Sequence, residues 1–348
     1  MDDAVVVRRL LSTVIDEDPQ LHVAGTAANG RIALAKIEQL KPDIVTLDIE
    51  MPELDGIATL KEIRKSNKSL PVIMFSTLTA RGAAATFEAL SLGASDYVTK
   101  PANVGSVGAA MESVRRELIP RIKALCTRLE PVTAPPLPRP VRIAPASGRV
   151  DLVVIGSSTG GPNALNSLLS SLPADLPVPV LVAQHMPPLF TGFLARRLDG
   201  ISPLAVREAE SGDMLRPGGV WIAPGDYHLV VRQGTKGLMV TTNQDEPENF
   251  CRPSVDVLLR SAASAMGGNV LAIVLTGMGH DGRDGCAVLK ERGAQVIVQD
   301  QATSVVWGMP GAVVAAGLAD DVLPIGAIAG AIVARVAAGR LVLGTSRS

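Results

Sequence analysis

The sequence predicts two α/β domains joined by a proline-rich connector. In both parts, short apolar runs suited to buried strands alternate with segments whose apolar residues recur at helical spacing. Between Pro131 and Pro145 the chain reads PVTAPPLPRPVRIAP, and proline cannot donate a backbone hydrogen bond to a helix or a sheet. We therefore divide the chain into a domain over residues 1–128, a connector over 129–149 and a domain over 150–348.

The strand runs of the second domain are DLVVIG, VPVLVAQ, NVLAIVLTG and AQVIVQD, and those of the first include Asp43–Leu47 and Pro71–Ser76. A helical pattern follows Asn29-Gly30 in the first domain. Strands that alternate with helices form parallel sheets, whose functional sites gather at the carboxyl ends of the strands. The second domain is thus predicted to be doubly wound and mostly parallel.

Composition excludes several classes of protein. Hydrophobic residues make up 47% of the 348 residues, which is enough for packed cores, and the formal net charge of −1 argues against a nucleic-acid binder. The three cysteines, Cys126, Cys251 and Cys286, are far apart and form no CxxC pair. We therefore predict neither a disulfide framework nor a zinc site, and this pattern suits a reducing cytoplasm.

Neither end of the chain predicts a membrane segment. The start, MDDAVVVRRL, has acids where a signal peptide has a basic region. Near the other end, Pro324–Gly344 is the most apolar stretch, but Arg335 and Arg340 interrupt it. A spanning helix needs about 20 nearly uncharged residues, so we predict a buried or amphipathic terminal helix in a soluble, cytoplasmic protein.

Charged residues stand at the predicted strand ends of the first domain. Asp48 closes DIVTLD, Ser76 closes PVIMFS, Lys100 closes SDYVTK, and Asp2 and Asp3 precede the first helical pattern. Clustered carboxylates repel one another unless a hard cation such as Mg²⁺ lies among them. An aspartate beside Mg²⁺ and a lysine can accept a phosphoryl group. Taken singly, each residue also fits a solvated loop position, and only the ordered combination favours a site.

This combination, D-D…LDxxMPxxDG…S/T…K-P, resembles the response-regulator receiver family over the first third of the chain. The resemblance implies a flavodoxin-like fold that a histidine kinase phosphorylates with the help of Mg²⁺. It implies the following roles: Asp48 as phosphoacceptor, Asp3 with Asp48 as metal ligands beside Asp2, Lys100 as phosphoryl partner, Ser76 as switch hydroxyl and Tyr97 as rotating aromatic.

One feature departs from the receiver pattern. Receivers begin with a central apolar strand that leads into the acidic pair, whereas only Met1 precedes Asp2 here. Either the natural start lies upstream or the domain lacks a central strand, which would leave the backbone groups of its neighbours unpaired. We favour the upstream start.

The second domain begins with a strand, a sharp glycine turn and a helix. Asp151–Ile155 leads into Gly156–Gly161, and Pro162 opens a pattern of leucines at helical spacing. The pentad Gly156–Gly160 fits G-x-S-x-G with Ser158 at its centre. Glycines let a substrate carbonyl approach closely, and the helix amino terminus stabilises a developing oxyanion. Ser158 is therefore a candidate nucleophile.

A serine nucleophile needs a base and an orienting carboxylate. His185 ends the run VPVLVAQ, at the carboxyl end of the next strand, and is the preferred base. His280 remains a rival base. Asp281, in the turn after NVLAIVLTG, is the preferred carboxylate and Asp284 the alternative. The two other histidines, His22 and His228, fit surface and packing positions.

The stretches IGSSTGGP, AQHMP, IAPGDYHL, CRPSVDVL, TGMGHDG and VVWGMPGAV resemble the catalytic domain of the CheB-type chemotaxis methylesterases. The order serine, histidine, aspartate differs from that of the α/β-hydrolases. The resemblance implies Ser158 as nucleophile, His185 as base, Asp281 as orienter, the amide of Met278 as oxyanion donor and Thr159 nearby. Arg252 fits a substrate contact or a structural ion pair equally well.

The expected function is phosphorylation-regulated hydrolysis of glutamate methyl esters on chemoreceptors, with methanol as product and deamidation of selected glutamines as a second activity. The esterase needs no cofactor, and the receiver needs Mg²⁺. Expected partners are methylated chemoreceptors and a chemosensory histidine kinase; neither nucleic acid nor membrane insertion is involved. Two alternatives stay open: a receiver-linked module that binds a phosphorylated ligand without turnover, and a general serine esterase for small esters.

Overall fold

The computed structural model describes residues 1–101, 106–126 and 148–344. The chain divides into two compact units, Met1–Glu130 and Pro131–Ser348. Most of the proline-rich connector predicted over 129–149 lies outside the described residues. Each unit is described separately below.

The first unit contains a three-stranded parallel sheet in the order β1-β2-β3. Its strands are β1 (Val45–Asp48), β2 (Val72–Ser76) and β3 (Asp96–Thr99). Its helices are α1 (Val5–Asp16), α2 (Gly30–Leu40), α3 (Gly56–Ser66), α4 (Ala80–Ser91) and α5 (Val107–Cys126). The strands and the α2 pattern predicted from the sequence are confirmed. Residues of β2 and β3 pack against α1 and α5 in a core that includes Ile73, Phe75, Val98, Leu11 and Leu118.

The amino terminus occupies one edge of this sheet. The amino group of Met1 donates to the carbonyl of Thr46 at 2.8 Å, and the amide of Asp48 donates to the carbonyl of Met1 at 2.9 Å. Within the described residues no strand precedes α1. No described strand lies beside residues 21–27, and these residues are irregular.

A cavity of about 410 Å³ lies at the same edge. It is lined by α1, by residues 20–26 and by β1, and apolar side chains such as Leu11, Leu21, Val23 and Val45 face it. Among the described residues before α1, Met1 is the only one that pairs with β1, and the cavity lies next to that pairing.

The second unit contains a seven-stranded sheet in the order β12-β11-β10-β4-β5-β7-β6, with every pair parallel. Its strands are β4 (Leu152–Ser157), β5 (Val180–Gln184), β6 (Ala205–Glu208), β7 (Gly219–Ile222), β10 (Val270–Val274), β11 (Gln295–Gln299) and β12 (Asp321–Leu323). An antiparallel hairpin, β8 (His228–Gly234) and β9 (Gly237–Asn243), stands apart from it. The helices are α6 (Gly161–Leu169), α7 (Phe190–Asp199), α8 (Val255–Met266), α9 (Arg283–Glu291), α10 (Met309–Ala315) and α11 (Ile325–Gly344).

The strand order places a crevice beside β4. From β4 the chain passes to β5 on one side, and it later returns to β10 on the other side. The connections therefore diverge at the carboxyl end of β4, which is where ligands bind in open parallel sheets. Strands β4, β5 and β10 are buried throughout and hold this edge rigidly.

The apolar end of the chain forms α11, as predicted. Ile328, Ile332 and Val336 are buried. Arg335, which interrupts the apolar stretch, is also buried and pairs with Asp321 and with the side-chain oxygen of Gln295. In the described part of the chain, no helix combines the length and apolar character that crossing a bilayer demands.

Candidate active site

Ser158 lies directly after β4, where the glycine turn leads into α6. Its amide donates to the carbonyl of Thr276 at 3.1 Å, and its carbonyl accepts from the side chain of Gln184 at 2.9 Å. Gly160 adopts a φ of 77°, which starts α6 in a left-handed conformation that favours glycine. A Cβ at Gly161 would stand 2.0 Å from the Gln184 side-chain oxygen. The turn therefore needs its glycines.

His185 follows β5 and stands beside Ser158. Ser157 of β4 is in register with Gln184 of β5, and the amide of His185 donates to the carbonyl of Ser157 at 3.0 Å. Neighbouring strands are about 4.8 Å apart, so the two following residues emerge side by side. Within the described residues, the Ser158 hydroxyl makes no hydrogen bond. Loose contacts between nucleophile and base are common in ligand-free sites.

Asp281 lies in the turn after β10 and contacts the imidazole. Its Oδ2 is 2.8 Å from Nε2 of His185, and its side chain is only 2% exposed. The same carboxylate accepts the amides of Val255 and Asp256 at the start of α8, at 2.7 and 3.0 Å, and the hydroxyl of Ser254 at 2.9 Å. The chain thus pairs an imidazole with a buried carboxylate, and His185 follows the strand next to the one that ends at the Ser158 turn.

The turn that carries Asp281 also brings a backbone donor beside the serine. A Cβ at Gly277 would stand 2.9 Å from the Cβ of Ser158, so the backbone passes very close to the hydroxyl. The amide of Met278, the next residue, has no hydrogen-bond partner among the described residues. Thr159 is buried, and its carbonyl accepts the hydroxyl of Thr276 at 2.9 Å, which ties the two turns together. This arrangement can hold an oxyanion at Ser158.

In the first unit, the predicted receiver residues also meet. Nζ of Lys100 lies 2.7 Å from Asp48 and 3.0 Å from Asp2. Carboxylate oxygens of Asp2, Asp3 and Asp48 lie within 4.8 Å of one another. Ser76 is buried at the end of β2, but its hydroxyl donates to the carbonyl of Gly82 at 3.1 Å rather than to Asp48.

Comparison with known proteins assigns both units. Residues 153–332 match the family described as CheB methylesterase, and residues 1–112 match the response regulator receiver domain. The chain belongs to the CheB methylesterase family. It is therefore an enzyme, a carboxylic ester hydrolase that carries a receiver domain.

Two relatives match this chain over nearly its whole length. A protein of Nocardioides sp. is 58% identical, over 93% of this chain and 91% of its own. A protein of Trichodesmium erythraeum is 49% identical, over 97% of each chain. Both are named protein-glutamate methylesterase/protein-glutamine glutaminase. The crystal structure of the Thermotoga maritima CheB methylesterase catalytic domain is 44% identical, with a TM-score of 0.52, and covers 53% of this chain and 97% of that one.

The electrostatics around Asp281 favour an ionised carboxylate beside the imidazole of His185. Burial alone would raise the pKa of Asp281, but the hydrogen bond and charge of His185 and the amides of Val255 and Asp256 hold it below its ordinary value. Burial opposes protonation of His185, whereas negative charge at Cys251 and the Asp281 carboxylate favour it, and the net effect raises the pKa of His185. In the neutral form of His185, Nε2 donates to the ionised Asp281 and Nδ1 carries the lone pair.

A second carboxylate supports the first, and our sequence analysis missed it. Asp256 is fully buried, and the side-chain amide of Asn249 donates to both Asp256 and Asp281, at 2.9 and 3.0 Å. The amide of Gly285 donates to Asp256 at 2.6 Å. Burial raises the pKa of Asp256 to about 6, with the Gly285 amide opposing this shift and the Asp281 charge adding to it. The sequence signal that could have revealed Asp256 is an aspartate within the apolar pattern of α8.

The rival residues lie elsewhere. His280 is exposed, and Asp284 is exposed and pairs with Arg283 at 2.7 Å. His228 is buried and accepts the amide of Ser254 at 3.2 Å, which is a packing role. Arg252 pairs with Asp226 at 2.6 Å, as expected of a structural ion pair.

Three of the carboxylates fit a divalent cation. Burial raises the pKa of Asp48 to about 6, the Lys100 hydrogen bond opposes this, and the negative charge of Asp2 adds to the rise. Acidic oxygens that repel one another this closely form the oxygen-rich donor set that Mg²⁺ prefers. Asp3 is exposed and is the most accessible of the three. Tyr97, predicted as a rotating aromatic, is buried in β3.

Proposed function

We propose that this chain hydrolyses the methyl esters of glutamate side chains on chemoreceptors and releases methanol. The names of its relatives support the substrate class, since both are protein-glutamate methylesterases and protein-glutamine glutaminases. The observation that carries the proposal is the pairing of His185 with the buried carboxylate of Asp281 beside the Ser158 turn. The triad of Ser158, His185 and Asp281 is part of the proposal.

The first half of the reaction acylates Ser158. Its hydroxyl attacks the γ-carbonyl carbon of the methylated glutamate, and Nδ1 of His185 takes the hydroxyl proton. Asp281 keeps the imidazole in the tautomer that leaves Nδ1 free, and it stabilises the imidazolium that forms. The amide of Met278 donates to the oxyanion, and the Thr159 backbone supports the turn. His185 then gives its proton to the departing methoxide, so methanol leaves.

The second half releases the product. Water attacks the acyl-serine while His185 takes its proton, and the glutamate carboxylate leaves as the Ser158 hydroxyl reforms. With glutamine as substrate, the same steps expel ammonia in place of methanol and give the same glutamate. The reaction needs no redox step and no cofactor, because the base, the nucleophile and the oxyanion donor all belong to the chain.

We also propose that phosphorylation of Asp48 controls the esterase. A chemosensory histidine kinase is the phosphoryl source, and Lys100 contacts the acceptor carboxylate. Asp3 and Asp48, next to Asp2, would hold Mg²⁺, and the ion would supply positive charge that offsets the negative charge of the transferring oxygens. Ser76 stands at the end of the neighbouring strand, within reach of a phosphoryl group after a rotation about its side-chain bond. The cytoplasm, where kinase and receptor tails meet, is the proposed location.

The test uses chemoreceptors whose glutamates carry radiolabelled methyl groups. Volatile methanol is measured for the full chain and for the variants Ser158→Ala, Ser167→Ala and Asp48→Ala, with and without a small-molecule phosphodonor and Mg²⁺. Ser167 is the matched control, because it is an exposed serine on α6 outside the proposed triad. We expect release by the parent and by Ser167→Ala, loss of at least about a thousandfold in Ser158→Ala, and a phosphodonor response that Asp48→Ala lacks.

The outcomes separate the two halves of the proposal. Methanol release that does not respond to the phosphodonor would support the esterase activity and contradict control by Asp48. Hydrolysis of small soluble esters, without methanol release from receptors, would show that small esters rather than receptors are the substrate. Unchanged release by Ser158→Ala removes the serine mechanism.

A further inference from the structure

Cys251 stands next to the proposed catalytic base, in a tight turn. Asn249 and Phe250 both adopt left-handed φ angles, 53° and 60°, and the amide of Cys251 donates to the carbonyl of Glu248 at 2.9 Å. This turn fixes the position of the thiol. Sγ of Cys251 lies 3.5 Å from Nδ1 of His185 and 3.3 Å from the carbonyl oxygen of Asn249.

The imidazole is set up as a metal ligand. Nε2 of His185 donates to Asp281, so the lone pair on Nδ1 points toward the thiol. Metal-binding histidines nearly always donate their other ring N–H to a carboxylate or a carbonyl in this way. His185 is 13% exposed and Cys251 is partly buried, so an ion can reach both from solvent.

The separation of the two atoms, which is also that of a thiol–imidazole hydrogen bond, matches the geometry of a tetrahedral zinc ion. Zinc binds imidazole nitrogen at about 2.0–2.1 Å and thiolate sulfur at about 2.3 Å, so a tetrahedral ion holds the two about 3.5 Å apart. The observed distance between Nδ1 and Sγ is 3.5 Å. Ligand atoms of His185, Cys251 and Asp281 all lie within 4.8 Å of one another.

We propose that Cys251 and His185 form an inhibitory binding site for a thiophilic divalent cation, Zn²⁺, through Sγ and Nδ1. Asp281 orients His185 from behind rather than binding the ion, because its oxygens already accept Ser254, Val255 and Asp256. Water or the nearby Ser158 hydroxyl completes the coordination. On binding, the thiol releases its proton to solvent and Sγ bonds to the ion as thiolate.

Occupation of this site stops ester hydrolysis. The ion uses the Nδ1 lone pair that would take the Ser158 proton, so the acylation step has no base. This consequence rests on the proposed function, whereas binding of the ion does not. The sequence predicted no zinc site because the two ligands are 66 residues apart and meet only in the folded chain.

The binding test uses Co²⁺ as a spectroscopic substitute for zinc, with the full chain and its variants Cys251→Ser, His185→Gln and Cys126→Ser. A thiolate–cobalt bond gives an intense near-ultraviolet absorption band that no oxygen or nitrogen ligand produces. We expect the band in the parent and in Cys126→Ser, and its displacement by Zn²⁺. Cys126, in the first unit, is the matched control for a partly buried thiol. We expect no band in Cys251→Ser, and a weaker band at higher Co²⁺ in His185→Gln.

The activity test measures methanol release against free Zn²⁺ and then adds a chelator. We expect full inhibition of the parent, recovery with the chelator, and a half-inhibitory concentration at least about tenfold higher in Cys251→Ser, relative to its own metal-free activity. A parent without a cobalt band overturns the proposal, as does a band that persists in Cys251→Ser. Equal zinc sensitivity of parent and Cys251→Ser overturns the inhibitory role. A cobalt band without any esterase activity keeps the metal site and removes the proposed function instead.

Discussion

Nε2 of His185 lies 2.8 Å from Oδ2 of Asp281, on the ring edge opposite the nitrogen that faces Cys251. The carboxylate cannot turn away from this contact, because the amides of Val255 and Asp256 hold it from the other side. The orientation of the base is therefore set by the start of α8.

Replacing Asp281 with asparagine should lower both the rate and the pH at which activity appears. Hydrolysis needs neutral His185, so kcat/KM rises with pH through the pKa of this group, which lies above its ordinary value of 6.5. Asp281→Asn removes a negative charge that favours the imidazolium, so the acidic limb should move to lower pH. Because the tautomer is no longer held, kcat should fall on the order of a thousandfold or more.

The measurement is kcat/KM against pH for the parent, Asp281→Asn and Asp284→Asn. Asp284 is an exposed carboxylate near the same turn, paired with Arg283, and its variant should keep the parent profile. An acidic limb that stays in place in Asp281→Asn would show that the titrating group is not His185.

Substitutions at Asn249 should separate side-chain bonds from backbone strain. Its amide bridges Asp256 and Asp281, and its φ is 53°. Asn249→Gly keeps the backbone conformation but removes one hydrogen-bond donor from each of two buried carboxylates, so we expect the free energy of unfolding to fall by about 1–3 kcal/mol. Asn249→Ala should cost about 1 kcal/mol more, because alanine is strained in the left-handed region.

Chemical denaturation of both variants, followed in the second unit, measures this difference. Equal stability of the glycine and alanine variants would contradict the strain argument. Unchanged stability in both would contradict the bridging role of Asn249.

Adding a methyl group at Gly277 should disable the site without unfolding it. A Cβ there would stand 2.3 Å from Sδ of Met309 and 2.9 Å from Cβ of Ser158. In Gly277→Ala one of these must move, and a shift of about 1 Å at a nucleophile costs about a hundredfold in rate. The control is Gly279→Ala, where a Cβ meets nothing within 4 Å although φ is 81°.

Methanol release and the thermal midpoint are measured for both glycine variants. We expect Gly277→Ala to lose activity and Gly279→Ala to lose mainly stability. The reverse pattern would show that the close approach at Gly277 does not position Ser158.

Lengthening the chain before Met1 should stabilise the first unit. Burial lowers the pKa of the Met1 amino group from 8.0 to about 6. The unfolded chain then binds a proton between these two pH values that the folded unit does not, so stability rises with pH across this interval. This difference of two pKa units corresponds to about 2–3 kcal/mol of unfolding free energy, which is lost as the pH falls from 8 toward 6. The shift of Asp48 acts at lower pH, between 3.8 and about 6, with the opposite sign.

Two extensions of equal length test this: an apolar strand sequence and a Gly-Ser sequence. Both replace the buried amine with a peptide group, so both should abolish the pH dependence of unfolding between pH 6 and 8. Only the apolar extension can fill the cavity of about 410 Å³ beside β1, so only it should raise the thermal midpoint further. Identical midpoints for the two extensions would contradict the apolar contribution.

The sequence predicted those parts of the molecule that local patterns determine. The predicted apolar runs matched β1, β2, β4, β5, β10 and β11, whereas β7 is buried but was not among them. Ser158, His185 and Asp281 each followed such a run, so a parallel sheet places them at the same edge. Asp48 and Lys100 were predicted for the same reason, and they lie 2.7 Å apart.

Residues that reach the site from loops were not predicted. Asn249 and Cys251 lie in a turn outside the sheet, and no periodic pattern places that turn against Asp281 and His185. Gln184 belongs to the AQHMP stretch, but its bond to the Ser158 carbonyl depends on side-chain directions that a strand pattern does not contain. Likewise, a sequence pattern does not show that His280 is exposed, because its exposure depends on how the turn folds.

The amides at the start of α8 also stabilise the negative charge of the Asp281 carboxylate. Asp281 is at once the partner of His185 and an anion seated at a helix amino terminus, where backbone dipoles favour negative charge. Any event that frays the first turn of α8 would loosen the base before the sheet is disturbed. Catalytic rate should therefore report on local melting of this one helix end, and activity should decline on warming ahead of the cooperative unfolding of the domain.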